Sequence, residues 1–396
     1  MPERDGSMKL DQMQAAIAAS GADAWLFYDH HHRDPLAYEI LDLPTGSLVS
    51  RRWFYLIPAQ GEPVKLVHKI EAGKLDVLPG AKQTYAAWTE LEQKLRAMLA
   101  PYTKLAMQYS PRNAIMYVSM VDAGTIELLR EFGKTIVSSA DLVSQFQAVL
   151  SPEQVASHYE AQQAIDAILA EAFVEIGRRC RAGERFTEYD MVLWLEAAMR
   201  REGLVWEHRP NVSVNENSAD SHYEPSAEHS RSIVSGDFLL IDIWARMDRP
   251  GTCFYDITWT AVLGREPIEE EQRVFYTVRD ARDAAIRVVE QAFAAGRPIC
   301  GWEADDAARK VITDAGYGEF FTHRTGHNIS NTLHGSGAHL DNLETHDERR
   351  LLPNTCFSVE PGIYLARFGV RSEVNMMTSA TEARVTGRIQ QELLRI

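Results

Sequence analysis

The sequence predicts two domains: an α/β domain over residues 1–150 and a larger α+β domain over residues 151–396 whose halves repeat one pattern. Three observations predict it. Short apolar runs (DAWLFY, RWFYLIP, PVKLVH, KLAMQYS, KTIVSS) alternate with helical stretches up to about residue 140, as strands and helices of an α/β layer do. A helix-start signature, SPEQ at 151–154, then opens a long amphipathic run. Beyond it, helices followed by an apolar hairpin occur twice, which implies an internal pseudo-twofold duplication.

At the domain boundary Ser151 can cap, Pro152 suits a first helical turn and Gln154 closes a capping box. Ile165, Ile168, Leu169, Ala172, Phe173 and Ile176 share one face at helical spacing, and Gly183 supplies the stop. Thr187 caps a second helix that runs to about Gly203. An irregular stretch rich in Asn, Ser and His (209–231) leads to the first hairpin, helices follow near 269–296 and 303–315, and the chain closes on the second hairpin region.

With 41 basic against 56 acidic residues the net charge is -15, and no basic patch is segregated, which excludes nucleic acid and anionic membranes as partners. The N-terminal run MPERDGSMKL is charged where a secretory signal needs an apolar core, and no run of ~18 apolar residues is present. Cys180, Cys253, Cys300 and Cys356 are scattered without a CxxC pair, so neither a disulfide framework nor a thiolate metal site is encoded. A cytoplasmic protein is expected. The run HHHRD at 30–34 reads as solvated.

The chemistry lies in carboxylates placed where strands should be apolar. Asp242 sits in DFLLIDIWA and Asp256 in CFYDITWTAV, separated by the turn signal MDRPG. A buried carboxylate costs several kcal/mol unless a cation or strong hydrogen bonds compensate it. A hairpin centred at Arg249 would set the two opposite each other, and like charges that close call for a multivalent cation. Glu360 in FSVEPGIY and Glu373 in GVRSEVNMM repeat the arrangement around a turn at Ala366 to Phe368. Any one strand carboxylate is as readily explained by an arginine partner; four in two matching hairpins are not. HRTGHNISNTLHG adds His323, His327 and His334, and imidazole suits manganese, iron, cobalt or zinc better than magnesium or calcium.

In the order Asp242, Asp256, His327, Glu360, Glu373 the chain resembles the pita-bread metallopeptidases, and within them the Xaa-Pro peptidases prolidase and aminopeptidase P; EPGIY is the most diagnostic motif. The resemblance covers residues 150 to 396 and implies that these five residues ligate two divalent metals, Mn2+ first and Co2+, Fe2+ or Zn2+ as alternatives. It implies that Asp256 and Glu373 bridge both metals. It further implies catalytic roles for Glu360, as proton shuttle, and for His334 and His222, with His222, His323, His334 and Arg371 as substrate contacts; His222 lies in SHYEPS. Arg371 can equally anchor Glu373. The first domain resembles the family's creatinase-type domain. The implied reaction is hydrolysis of the Xaa-Pro bond by a hydroxide held between the metals, with small peptides carrying proline second as substrates and a homodimer as the assembly. Alternatives on the same fold are an Xaa-Pro aminopeptidase for longer peptides, an ectoine hydrolase-like amidase and, least, a non-catalytic binding module. Three departures stand out: HRTGH replaces the usual HGxGH, setting Arg324 and Thr325 beside His327; the spacing between the aspartates is longer than usual; and HGSGAHLDNLETHDERR is expanded.

Overall fold

The computed structural model describes residues 6–46 and 48–396, with the side chains of residues 6–8 left aside. The run MPERD therefore lies outside the described residues. The chain divides into two compact units between Gln147 and Ala148.

The first unit is a six-stranded mixed sheet. Its strands are β1 (Ala24–Asp29), β2 (Trp53–Pro58), β3 (Val64–His68), β4 (Ala81–Tyr85), β5 (Lys104–Met107) and β6 (Thr135–Ser138), in the order β4-β3-β2-β1-β5-β6. Around it lie α1 (Gly6–Ser20), α2 (Pro35–Ile40), α3 (Trp88–Leu99), α4 (Ala123–Glu131) and α5 (Ala140–Gln147). β4, AKQTY, escapes a search for apolar runs because it is a largely exposed edge strand. The HHHRD loop is more constrained than a solvated run. Asp29, buried, accepts hydrogen bonds from the amides of His32, Arg33 and Asp34 and from the Tyr38 hydroxyl. His31 and His32 are held at positive φ, 65° and 54°, and Asp34 is buried as the cap of α2, accepting from the Ala37 amide at 3.0 Å.

The second unit opens with α6 (Pro152–Ala182), whose capping box and left-handed Gly183 (φ 66°) sit where the sequence sets them, and α7 (Glu188–Arg201), capped by Thr187. The strands β7 (Leu204–Val205) and β8 (Asn211–Val214) pair with β9 (Phe238–Met247), and β9 with β10 (Tyr255–Val262). Then come α8 (Glu269–Ala294), α9 (Gly301–Asp314), β11 (Asn328–Ile329), β12 (Cys356–Val359), β13 (Gly362–Leu365), β14 (Phe368–Arg371), β15 (Val374–Thr378), β16 (Ala383–Thr386) and β17 (Leu394–Arg395). β17 completes the β9–β10 sheet, and β11-β12-β15-β16 form another. One core joins α6 and α7 to the sheet face carrying Ile241, Ile243 and Ala245; a second joins α8 and α9 to β12, β14 and β15. The order two helices, then a hairpin, thus occurs twice. No described helix is long and apolar enough to cross a membrane.

Both hairpins differ in detail from the sequence reading. In β9–β10 the Cα partners are Asp242↔Thr258 and Trp244↔Asp256, so the two aspartates are diagonal neighbours on one face and not directly opposed. The turn is centred one residue later than expected, which shifts the register by two. Thr252 fixes that longer turn, its Oγ1 lying 2.8 Å from the Met247 carbonyl and 3.0 Å from that of Arg249. The C-terminal hairpin turns over two residues, Ala366 and Arg367.

Candidate metal centre

Val359↔Val374 on one side and Gly362↔Arg371 on the other keep a single register, so β12 to β15 is one long hairpin interrupted where Glu360 and Glu373 face each other. At that break the strands stop pairing with each other and turn their carboxylates toward β10. The Glu373 amide donates to the Thr258 carbonyl at 3.2 Å, and the Asp256 amide to Asn375 Oδ1 at 2.9 Å, which locks the second hairpin onto the first.

His327 arrives on a strand laid against β12. The Ser358 amide donates to the His327 carbonyl, the His327 amide to Ser358 Oγ, and the Glu360 amide to the Thr325 carbonyl at 2.7 Å. Gly326 permits this approach: a Cβ there would lie 2.0 Å from the Ser358 carbonyl oxygen. The His327 Nδ1 side faces its neighbour's carbonyl, Asn328 O, at 3.3 Å, leaving Nε2 3.3 Å from Glu360 Oε1 and 3.6 Å from Asp256 Oδ2. A ring nitrogen turned to a backbone carbonyl while the other faces carboxylates is how a metal-binding histidine is oriented.

Asp256, His327 and Glu373, all buried, each offer a ligand atom, and these atoms lie within 4.8 Å of one another. Asp256 Oδ1 and Glu373 Oε1 are buried with no hydrogen-bond partner among the described residues. Unpartnered carboxylate oxygens in a dry site carry a desolvation cost that a divalent cation removes, so this donor set of carboxylates and one imidazole fits hard or borderline metals.

The electrostatics agree. Burial pushes Asp256 and Glu373 well above the usual carboxylate range, and their acidic neighbours add to it. Burial also raises Asp242, to about 7, although Arg371 opposes it. Glu360 ends below its ordinary value: burial raises it, but His327, His323 and Arg371 outweigh that. Burial lowers His327, in the direction of the neutral imidazole that a metal ligand must be.

The other expected residues differ in how they are held. Arg371 is buried with all three nitrogens engaged: it pairs with Asp242 through Nη2, and reaches Thr258 Oγ1 from Nε at 3.1 Å and the Tyr364 hydroxyl from Nη1 at 3.2 Å. It is therefore an anchor for a carboxylate of the site, with Asp242 in the place where the alternative reading had Glu373. His323 is likewise engaged at both nitrogens, with Arg324 O and the Tyr364 hydroxyl, each at 2.7 Å. His334 is exposed at the rim, its ring 4.3 Å from that of His327. His222 is exposed on the loop after Ala219, its amide donating to Asp220 Oδ1 at 3.0 Å. Thr325 does not crowd His327: it is buried the other way, its Oγ1 donating to Asp305 of α9 at 2.6 Å.

Sequence reading missed Thr258 and left Tyr364 out of the chemistry. Thr258 Oγ1 touches Asp242 Oδ1 at 2.9 Å and Glu373 Oε2 at 2.7 Å, while Tyr364 joins His323 to Arg371. Thr258 was findable, since it follows Asp256 by two in a strand and so shares its face.

The interrupted hairpin and the β9–β10 pair bring Asp256, His327 and Glu373 together, with Glu360 against His327 and Asp242 linked to Glu373 through Thr258, as a metal-type donor set. The chain belongs to metallopeptidase family M24, whose model matches residues 157–380. It is similar to the Xaa-Pro dipeptidase of Lactobacillus delbrueckii subsp. lactis, 32% identical over 163 residues; the match covers 41% of this chain and 40% of that protein's length. In structure it is similar to dipeptidase PepE from Mycobacterium ulcerans (TM-score 0.70, 21% identity, 100% of this chain and 99% of that one). It is also similar to the X-prolyl aminopeptidase from Caenorhabditis elegans, described as a cytosolic enzyme with a di-nuclear active site (TM-score 0.64, 15% identity, 98% and 63% covered).

Proposed function

We propose that this chain is a dinuclear-metal hydrolase cleaving the imide bond ahead of proline, with Xaa-Pro dipeptides as its substrates. The observation that carries the reading is the pair of buried, unpartnered oxygens, Asp256 Oδ1 and Glu373 Oε1, within one ligand cluster with His327. In this reading Asp242, Asp256, His327, Glu360 and Glu373 would hold the two metals. Mn2+ is the proposed metal, with Co2+, Fe2+ and Zn2+ as alternatives. Bound there, two such cations supply an acidified water and polarise the scissile carbonyl.

The protein's own groups do the rest. Glu360, held below the usual carboxylate range, is ionised at neutral pH and takes the proton of the attacking water. Ser358 Oγ, 3.0 Å from Glu360 Oε1, fixes the direction of that carboxylate. Arg371 orients Asp242. His334, exposed and with its ring 4.3 Å from that of His327, is proposed to donate to a substrate carbonyl. The first unit is proposed as the creatinase-type domain, and the protein as a cytoplasmic homodimer. The names of its relatives, Xaa-Pro dipeptidase and X-prolyl aminopeptidase, support proline-directed cleavage.

The test offers Met-Pro, Leu-Pro and a proline-containing tripeptide to Mn2+-loaded protein, with and without chelator. Metal-dependent release of proline from the dipeptides is expected. No cleavage of any of the three would remove the peptidase reading.

A further inference from the structure

We infer that Trp244 is a specificity-determining residue, its indole forming the wall that receives the side chain of the residue preceding proline. The inference rests on the peptidase reading above and adds which substrate feature the site selects.

Trp244 is the cross-strand partner of Asp256, and partners across an antiparallel pair project to the same face. It therefore stands on the ligand side of the sheet, two residues along β9 from Asp242. Neighbouring positions Ile241, Ile243 and Ala245 point the other way and are fully buried against the core of α6 and α7. Trp244 itself is only partly buried. On its inner side Trp244 packs against the cluster that contains Ile329 and Leu333, next in sequence to His334. The indole thus spans the ground between Asp256 and the segment carrying His334, where a bound peptide must lie if both act on it.

The row continues. Arg246 is the next residue on this face, half-buried, its guanidinium donating to Thr252 Oγ1 at 3.2 Å. Asp242 to Arg246 spans ~13 Å of strand, at ~3.3 Å per residue. Proline is the same size in every Xaa-Pro substrate and calls for a slot of fixed size. A flat aromatic surface on a row that runs on from the carboxylates suits the part of the substrate that varies. An indole offers a large apolar area and gains most from a leucine or phenylalanine side chain, and nothing from glycine.

The test measures kcat/KM for Leu-Pro, Phe-Pro and Gly-Pro with Mn2+ for the wild type, Trp244→Ala and Trp244→Leu, together with bound metal per chain. Expected is a fall of about tenfold in the Leu-Pro to Gly-Pro ratio for Trp244→Ala, carried mainly by KM, with metal content kept; a transfer loss of that size corresponds to covering roughly two methylene groups. Trp244→Leu, which preserves apolar bulk in the cluster, lowers the Phe-Pro to Gly-Pro ratio in the same direction. A ratio within about twofold of wild type in both variants would overturn the inference, whatever happens to the overall rate. Wild-type protein inactive on all three dipeptides would instead overturn the peptidase reading on which it rests.

Discussion

Thr258 Oγ1 lies 2.7 Å from Glu373 Oε2, a hydrogen bond between the first ligand-bearing strand pair and the interrupted hairpin that supplies the last ligand. The same oxygen lies 2.9 Å from Asp242 Oδ1 and accepts from Arg371 Nε. A hydroxyl has one proton, so it donates to one carboxylate at a time while remaining close to both.

Thr258→Val keeps the shape and removes the hydroxyl. It should weaken Mn2+ binding about 10- to 100-fold, the usual loss when a group orienting a ligand is removed. Thr258→Ser should restore most of the affinity. Titration calorimetry on metal-stripped protein decides, and equal affinity in the valine variant would show that the hydroxyl orients nothing.

Gly326→Ala tests the close approach of the His327 strand to β12. The added Cβ would meet the Ser358 carbonyl oxygen at 2.0 Å, so the strand must move away from Glu360. Overpacking of this kind costs about 1–3 kcal/mol. The variant should unfold at lower urea concentration and lose bound metal; wild-type stability with a full metal complement would contradict the packing described.

Asp34 tests the constrained loop of the first unit. Burial, helped by the Asp29 charge, raises its carboxyl from 3.8 to about 7, although the Ala37 amide opposes this. The folded chain therefore keeps a proton that the unfolded chain releases near 3.8. Its stabilising contribution is complete below that pH and is lost as pH rises toward 7. Asp34→Asn is neutral throughout and still offers an oxygen to the cap. Relative to wild type it should gain stability between pH 4 and pH 8, by an amount on the order of a few kcal/mol. Urea unfolding across that range checks it, and a pH-independent difference would refute the shift.

Much of this was legible in the sequence because the signals are local or costly to violate. Carboxylates in apolar runs stand out at Asp242 and Asp256, and SPEQ and Gly183 mark the ends of α6 through backbone needs that few residues meet. Register was not legible: the turn held by Thr252 moved the β9–β10 pairing by two, since side chain to carbonyl bonds within a loop leave no periodic trace. The role of Arg371 also needed coordinates. Whether a guanidinium near a ligand meets substrate or Asp242 depends on which carboxylate the fold brings within reach.

The central claim is that Asp242, Asp256, His327, Glu360 and Glu373 hold two metals between them. The most direct measurement is the number of Mn2+ ions bound per chain, by equilibrium dialysis and elemental analysis, in wild type and in Asp256→Asn with the fold monitored by circular dichroism. The account predicts about two ions in wild type, as a dinuclear site requires, and loss of binding in a folded variant whose ligand carboxylate has become an amide. Undiminished Mn2+ binding in Asp256→Asn, or none in the wild type, would contradict it.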